Sequence, residues 1–155
     1  MNNKNHLTIN GADTVELANE YGTPLYIMDE ELIRENMRSY KQSMHKFYNN
    51  NGLVCYASKA FSCKQIYRIA KEEGLGIDVV SAGELYTALT VGFDTSKICY
   101  HGNNKTEFEL NYAIDSDVLY IVCDNIEELY TINKIGEEKN KKVNVLLRVT
   151  PGVDA

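Results

Sequence analysis

From Leu53 onward the chain alternates between short apolar runs and amphipathic segments. The apolar runs begin near Leu53, Gly76, Ile98, Leu119 and Val143, so consecutive starts lie 23, 22, 21 and 24 residues apart. Four to eight β-prone residues bounded by turn formers read as buried strands. The segments after the first four carry helix-start signals: Ser62 with Gln65, Ser81 with Glu84, Asp124 with Glu127, and Asn104 with Glu107. Each pairs a capping side chain with an acid or amide three residues on. Gly74, Gly92 and Gly136 stand where those helices are expected to stop. Strands alternating with helices at this short period predict right-handed βαβ units and a parallel sheet.

The first fifty residues follow a different pattern. Asp13 is placed to cap a short helix through Val15, Leu17, Ala18 and Tyr21, ended by Gly22 before Thr23 and Pro24. Pro24 to Met28 reads as a strand. Asp29 then opens a longer helix whose apolar residues Ile33, Met37, Tyr40, Met44 and Phe47 recur at steps of three and four, a face for core or interface packing. The expected organisation is an N-terminal helix, strand and helix over 1–50 leading into a βα array over 51–155.

Two architectures fit such an array, an open doubly wound sheet and a closed (β/α)8 barrel. The glycine loops of nucleotide-binding open sheets are absent from the sequence. A complete barrel takes about 250 residues, so 155 residues with five strands read as part of a TIM-type barrel.

With 44% hydrophobic and 25% charged residues the composition is that of a folded globular chain, not a disordered one. A formal net charge of −6 argues against binding a phosphate backbone and directs attention to metabolites. No stretch reaches the eighteen or so apolar residues of a membrane span, and Met1 to His6 lacks the apolar core of a signal peptide, so a cytoplasmic location is expected. Cys55, Cys63, Cys99 and Cys123 are too far apart in sequence for a CxxC site and read as reduced core residues.

Active sites of barrels gather at the C-terminal ends of the strands. Those ends carry Ser58 and Lys59, then Ser81, then His101 and Asn103, then Asp124, then Arg148 and Thr150. In an extended run Cys55, Ala57 and Lys59 share one face, and the two small side chains leave room beside the amine. A lysine stripped of water there has a lowered pKa and a lone pair free to condense with an aldehyde. The alternative is a lysine that snorkels from a strand end into solvent. Asp78 lies inside the second run between Ile77 and Val79, and Lys59 on the neighbouring strand is its expected partner. Arg148, between Leu147 and Val149, is expected away from the surface, in a pocket or a structural ion pair. His101 is either a pocket residue or a satisfied core histidine, and Glu84 a capping partner of Ser81.

Tyr56 to Phe61 followed by Gly76 to Glu84 resembles the first two barrel strands of the fold-type III pyridoxal-phosphate-dependent decarboxylases, the ornithine/diaminopimelate/arginine family. His101 to Lys105 and Leu147 to Ala155 narrow the resemblance to the branch acting on meso-diaminopimelate, and the likeness runs from about Tyr21 to the last residue. Phe61 stands where the family often has Asn, and Thr150 where it usually has Asn between Arg and Pro.

The resemblance implies an alanine-racemase-like barrel without its C-terminal β domain and pyridoxal phosphate carried on Lys59. It places Asp78, His101 and Arg148 in the cofactor pocket, and no metal. It implies decarboxylation of meso-diaminopimelate to L-lysine by a homodimer whose active site lies at the subunit interface. The family's phosphate loop, the acid facing the pyridine nitrogen and the catalytic cysteine of the partner subunit fall beyond residue 155, so this chain alone is expected to be inactive. The competing readings are a related ornithine, arginine or carboxynorspermidine decarboxylase, and a non-catalytic cofactor-binding relative.

Overall fold

The computed structural model describes residues 1–152; of the runs that carry the resemblance, Val153 to Ala155 lie outside the described residues. The chain opens with a small antiparallel hairpin, β1 (Thr8–Ile9) and β2 (Ala12–Asp13). Helix α1 (Thr14–Tyr21) follows directly, its N-terminus closed by the Asp13 carboxylate accepting from the amides of Val15 and Glu16. Gly22, at φ 82°, ends it. Helix α2 (Glu30–Tyr48) begins at Asp29 as expected. Only Met37 of its apolar face is fully buried, and Tyr40 and Phe47 remain exposed.

Five strands form one parallel sheet: β3 (Cys55–Ala57), β4 (Gly76–Val79), β5 (Ile98–Tyr100), β6 (Tyr120–Cys123) and β7 (Val145–Leu147), hydrogen-bonded in that order. Each of the first four leads into a helix: α3 (Lys64–Glu72), α4 (Ala82–Thr90), α5 (Glu107–Asp115) and α6 (Ile126–Glu138). The register sorts side chains onto two faces. Ile77, Val79, Ile98, Tyr100 and Ile121 point to the helix side, and all are fully buried. Each such side chain contributes on the order of 1.5–3 kcal/mol on leaving water, which holds the helices to the sheet. On the other face Ala57, Asp78, Cys99 and Tyr120 stand side by side across β3 to β6. This second face, polar and only partly covered, is where the site forms.

Helix α2 is tied to α3 by charge. Arg34 reaches Glu30, Glu72 and Glu73, and Arg38 reaches Glu31 and Glu73.

Several local expectations are corrected. Pro24 to Met28 is not a strand, because among the described residues no strand lies beside it to pair with. The hairpin at residues 8–13 was not foreseen. Helix α3 starts at Cys63 without a side-chain cap, and the Ser62 hydroxyl instead meets the Tyr67 hydroxyl at 2.9 Å. The cap of α5 is Thr106 with Glu109, and that of α6 is Asn125 with Glu128. Gly136 lies inside α6, where a Cβ would come within 3.0 Å of the Lys141 carbonyl oxygen, so its role is close backbone approach. Ser81, Gly74 and Gly92 behave as expected, the serine capping α4 and the glycines following their helices at positive φ. All four cysteines are free thiols, Cys99 and Cys123 buried and Cys55 and Cys63 half-buried.

Candidate active site

After β3 the backbone leaves the extended conformation for a tight 3-10 turn, Ser58–Ala60. The Tyr56 hydroxyl closes the turn by donating to the Phe61 carbonyl oxygen at 2.9 Å. Ser58 turns fully inward, and Lys59 projects outward into an open cleft. From β4, Asp78 faces the same cleft, with one carboxylate oxygen 3.3 Å from His101 Nε2. His101 is held at this level because its amide donates to the Val79 carbonyl oxygen at 2.8 Å, which continues the β4–β5 ladder by one residue. At the far side Arg148 follows β7, its amide bonded to the Cys123 carbonyl oxygen and its guanidinium 3.0 Å from Asp124 Oδ1.

The cleft has a volume of about 780 Å³. Lys59, Asp78, His101, Asn103 and Arg148 supply its polar lining, with Val80 and Val122 among its apolar walls. The turn after β5 is fixed from below by Lys105, whose ammonium donates to the carbonyl oxygens of Gly102 at 2.6 Å and Val122 at 2.9 Å. It also meets Glu128 at 2.5 Å in an ion pair whose side chains are 2% and 6% exposed.

Of the residues singled out from the sequence, Lys59, Asp78, His101 and Arg148 meet in this one cleft. Their pairing differs from expectation. Asp78 takes His101 rather than Lys59 as its partner, because the His101 ring continues β5 alongside it while the lysine swings out on its turn. Lys59 is exposed, not desolvated, and Arg148 is 62% exposed and paired with Asp124. Both follow from β3 and β7 being the edges of the sheet, which leaves the cleft open to water from its sides. Ser81 serves its helix and is not a cleft residue. The Lys105–Glu128 pair was missed. Its only signal was a cation between two β-ends and an acid at the third position of a helix, which is common on solvated surfaces too.

Residues 30–155 match the family described as pyridoxal-dependent decarboxylase, pyridoxal binding domain, and the chain belongs to that family. The cofactor of such proteins is pyridoxal phosphate. Among individual relatives, the chain is 52% identical over 155 residues to the diaminopimelate decarboxylase of Bacillus methanolicus, covering all of this chain and 36% of that protein. It is 46% identical over 157 residues to the diaminopimelate decarboxylase of Bacillus subtilis, covering 99% of this chain and 35% of the other. The crystal structure of diaminopimelate decarboxylase from M. jannaschii in complex with L-lysine superposes with a TM-score of 0.92 at 36% identity, over 98% of this chain and 36% of that one. The chain thus spans about a third of the length of the relatives it matches. The five-stranded sheet corresponds to the N-terminal barrel portion of these enzymes, which settles the choice between open sheet and barrel.

Proposed function

We propose that this chain is the cofactor-bearing part of a diaminopimelate decarboxylase, which converts meso-diaminopimelate to L-lysine and carbon dioxide, with Lys59 as the cofactor lysine. The observation that carries this reading is the convergence of Lys59, Asp78, His101 and Arg148, brought from the ends of four different strands into one cleft. That donor set suits pyridoxal phosphate: a primary amine open to the cleft for its aldehyde, cationic and imidazole groups for an anionic ligand, and a volume that admits a small aromatic ring. When bound, the cofactor supplies the electron sink for the carbanion left by loss of carbon dioxide.

The chain's own residues have separable tasks. Lys59 holds its amine on a short turn with solvent access, free to attach the cofactor and to give way to an incoming amine. Asp78 orients the His101 ring through Nε2, fixing which ring atom faces the cleft. Arg148, steadied by Asp124, sets a positive charge at the rim. Lys105 pins the backbone of Gly102, and with it the position of His101 and Asn103. The resemblance further supports a cytoplasmic homodimer with the site at the subunit interface, and among the described residues no helix is long and apolar enough to cross a membrane.

The test is incubation of the protein with pyridoxal phosphate, borohydride reduction and peptide mapping. One modified lysine at position 59, lost in Lys59→Ala, is the expected result. Label spread over the surface lysines, and unchanged by that substitution, would sink the reading.

A further inference from the structure

On the cleft side of the sheet, reaching down from Asp78 of the polar lining, three side chains of metal-ligating type from three adjacent strands come together. Cys55 Sγ on β3, a carboxylate oxygen of Asp78 on β4 and Cys99 Sγ on β5 all lie within 4.8 Å of one another. The register explains the cluster. Cys99 is paired directly with Asp78, whereas Cys55 is paired with Gly76, two residues earlier on β4. A Cβ at position 76 would sit 2.8 Å from the Cys55 sulfur, so the missing side chain is what lets the thiol lean across β4 towards Cys99.

These thiols are not poised for a disulfide. Strand β4 lies between their strands, which sets the two backbones about 9–10 Å apart at the usual strand spacing, beyond the roughly 7 Å that a disulfide spans.

We propose that Cys55, Asp78 and Cys99 form a three-ligand site for a thiophilic divalent cation of the zinc class, with water in the fourth position. Two sulfurs and one carboxylate oxygen select against magnesium and calcium, which take all-oxygen sets. Tetrahedral arms of about 2.0–2.3 Å separate ligand atoms by about 3.3–3.8 Å, a contraction that rotation about the cysteine and aspartate side-chain bonds supplies. Binding forms two metal–sulfur bonds and one metal–oxygen bond. Each thiol still protonated releases its proton to solvent, and no oxidation state changes. Because the Asp78 carboxylate also meets His101, the cation would compete with the imidazole for it. The site itself depends only on the three ligands and not on what occupies the cleft.

Titration of the reduced protein with cadmium chloride, read by thiolate-to-metal absorption, and with zinc chloride in competition tests the site. One cation per chain is expected, with affinity falling at least about tenfold in Cys55→Ser, Cys99→Ser and Asp78→Asn. Cys63→Ser/Cys123→Ser, which spares the cluster, should bind as the parent does. X-ray absorption of the zinc-loaded parent needs no variant and should give two sulfur neighbours at about 2.3 Å. The proposal is overturned if no thiolate absorption develops, if Cys55→Ser/Cys99→Ser binds as tightly as the parent, or if the zinc shell holds no sulfur or four.

Discussion

Gly76 is the single position where the backbone leaves least room. A Cβ there would lie 2.7 Å from both the Lys97 carbonyl oxygen and Leu53 Cδ2, and 2.8 Å from Cys55 Sγ. A side-chain tip can move, but the carbonyl of Lys97 is fixed just ahead of β5. Gly76→Ala should therefore lower stability by about 1–3 kcal/mol, the usual cost of overpacking, measured by urea unfolding. Gly83, in the first turn of α4, meets nothing closer than the Ser81 hydroxyl at 3.9 Å. Gly83→Ala should be neutral or stabilising by up to about 1 kcal/mol, and equal losses at both positions would refute the steric account. The sequence marked Gly76 only as a strand start, since a glycine's neighbours across a sheet are not visible along the chain.

Asp13 offers a second test at this scale. Burial pushes its carboxyl up, but bonds from His6, Asn2 and the amides of Glu16 and Val15 outweigh that and bring it down to about 2 from 3.8. A carboxyl lowered on folding stabilises the fold above its unfolded value, and this contribution is lost as the pH falls towards the folded one. The α1 cap should accordingly hold as the pH drops past 3.8 and release only near 2. The amide NMR shifts of Val15 and Glu16 report this directly, and a midpoint close to 3.8 would mean that the cap bonds are not made.

Among the elements, the turn between β5 and α5 is held more firmly than its polar sequence suggests. Lys105 is buried there, joined to two backbone carbonyls and to Glu128 at the start of α6. Removing one partner of a buried pair strands the other charge, at a cost of about 3–5 kcal/mol. Lys105→Met should cost that much in urea unfolding. Adding Glu128→Leu should recover part of the loss, because the stranded carboxylate is then gone while the two carbonyl bonds and the Asp124 amide's bond to Glu128, about 1 kcal/mol each, stay missing. A single-variant loss below about 1 kcal/mol would show that water reaches the pair.

Element types were legible because strands read as short unbroken apolar runs, as Ile98 to Tyr100 and Tyr120 to Cys123 do. Caps slipped where capping residues compete side by side. Asp124 and Asn125 both offer an acceptor, and the aspartate is drawn instead to Arg148. The hairpin at 8–13 escaped because two-residue strands carry no periodicity. Which residues share the cleft could be read from strand ends, but pairing within it depends on register and on the turn at Ser58–Ala60, and neither is written in residue spacing.

At the scale of the whole molecule, the sheet presents two margins, β3 and β7, that are unpaired among the described residues. The β7 margin is the more apolar: Leu146, Leu147 and Val149 are 45%, 61% and 77% exposed. Near β3, an apolar cavity of about 460 Å³ opens between the strand and α2, lined by Met28, Met37, Tyr40 and Phe61 among others. Free backbone donors and acceptors beside exposed apolar side chains are a template for pairing with another chain. This chain in isolation should associate in a concentration-dependent way, seen by sedimentation velocity. Leu147 points to the helix side of β7, yet among the described residues no helix covers it, so Leu147→Lys adds a charge at the margin without emptying a packed core. That substitution should shift the distribution towards monomer and leave the thermal melt within a few degrees of the parent. A parent chain that stays monomeric at every concentration and melts cooperatively would show that the margins are protected, contrary to what their exposure implies.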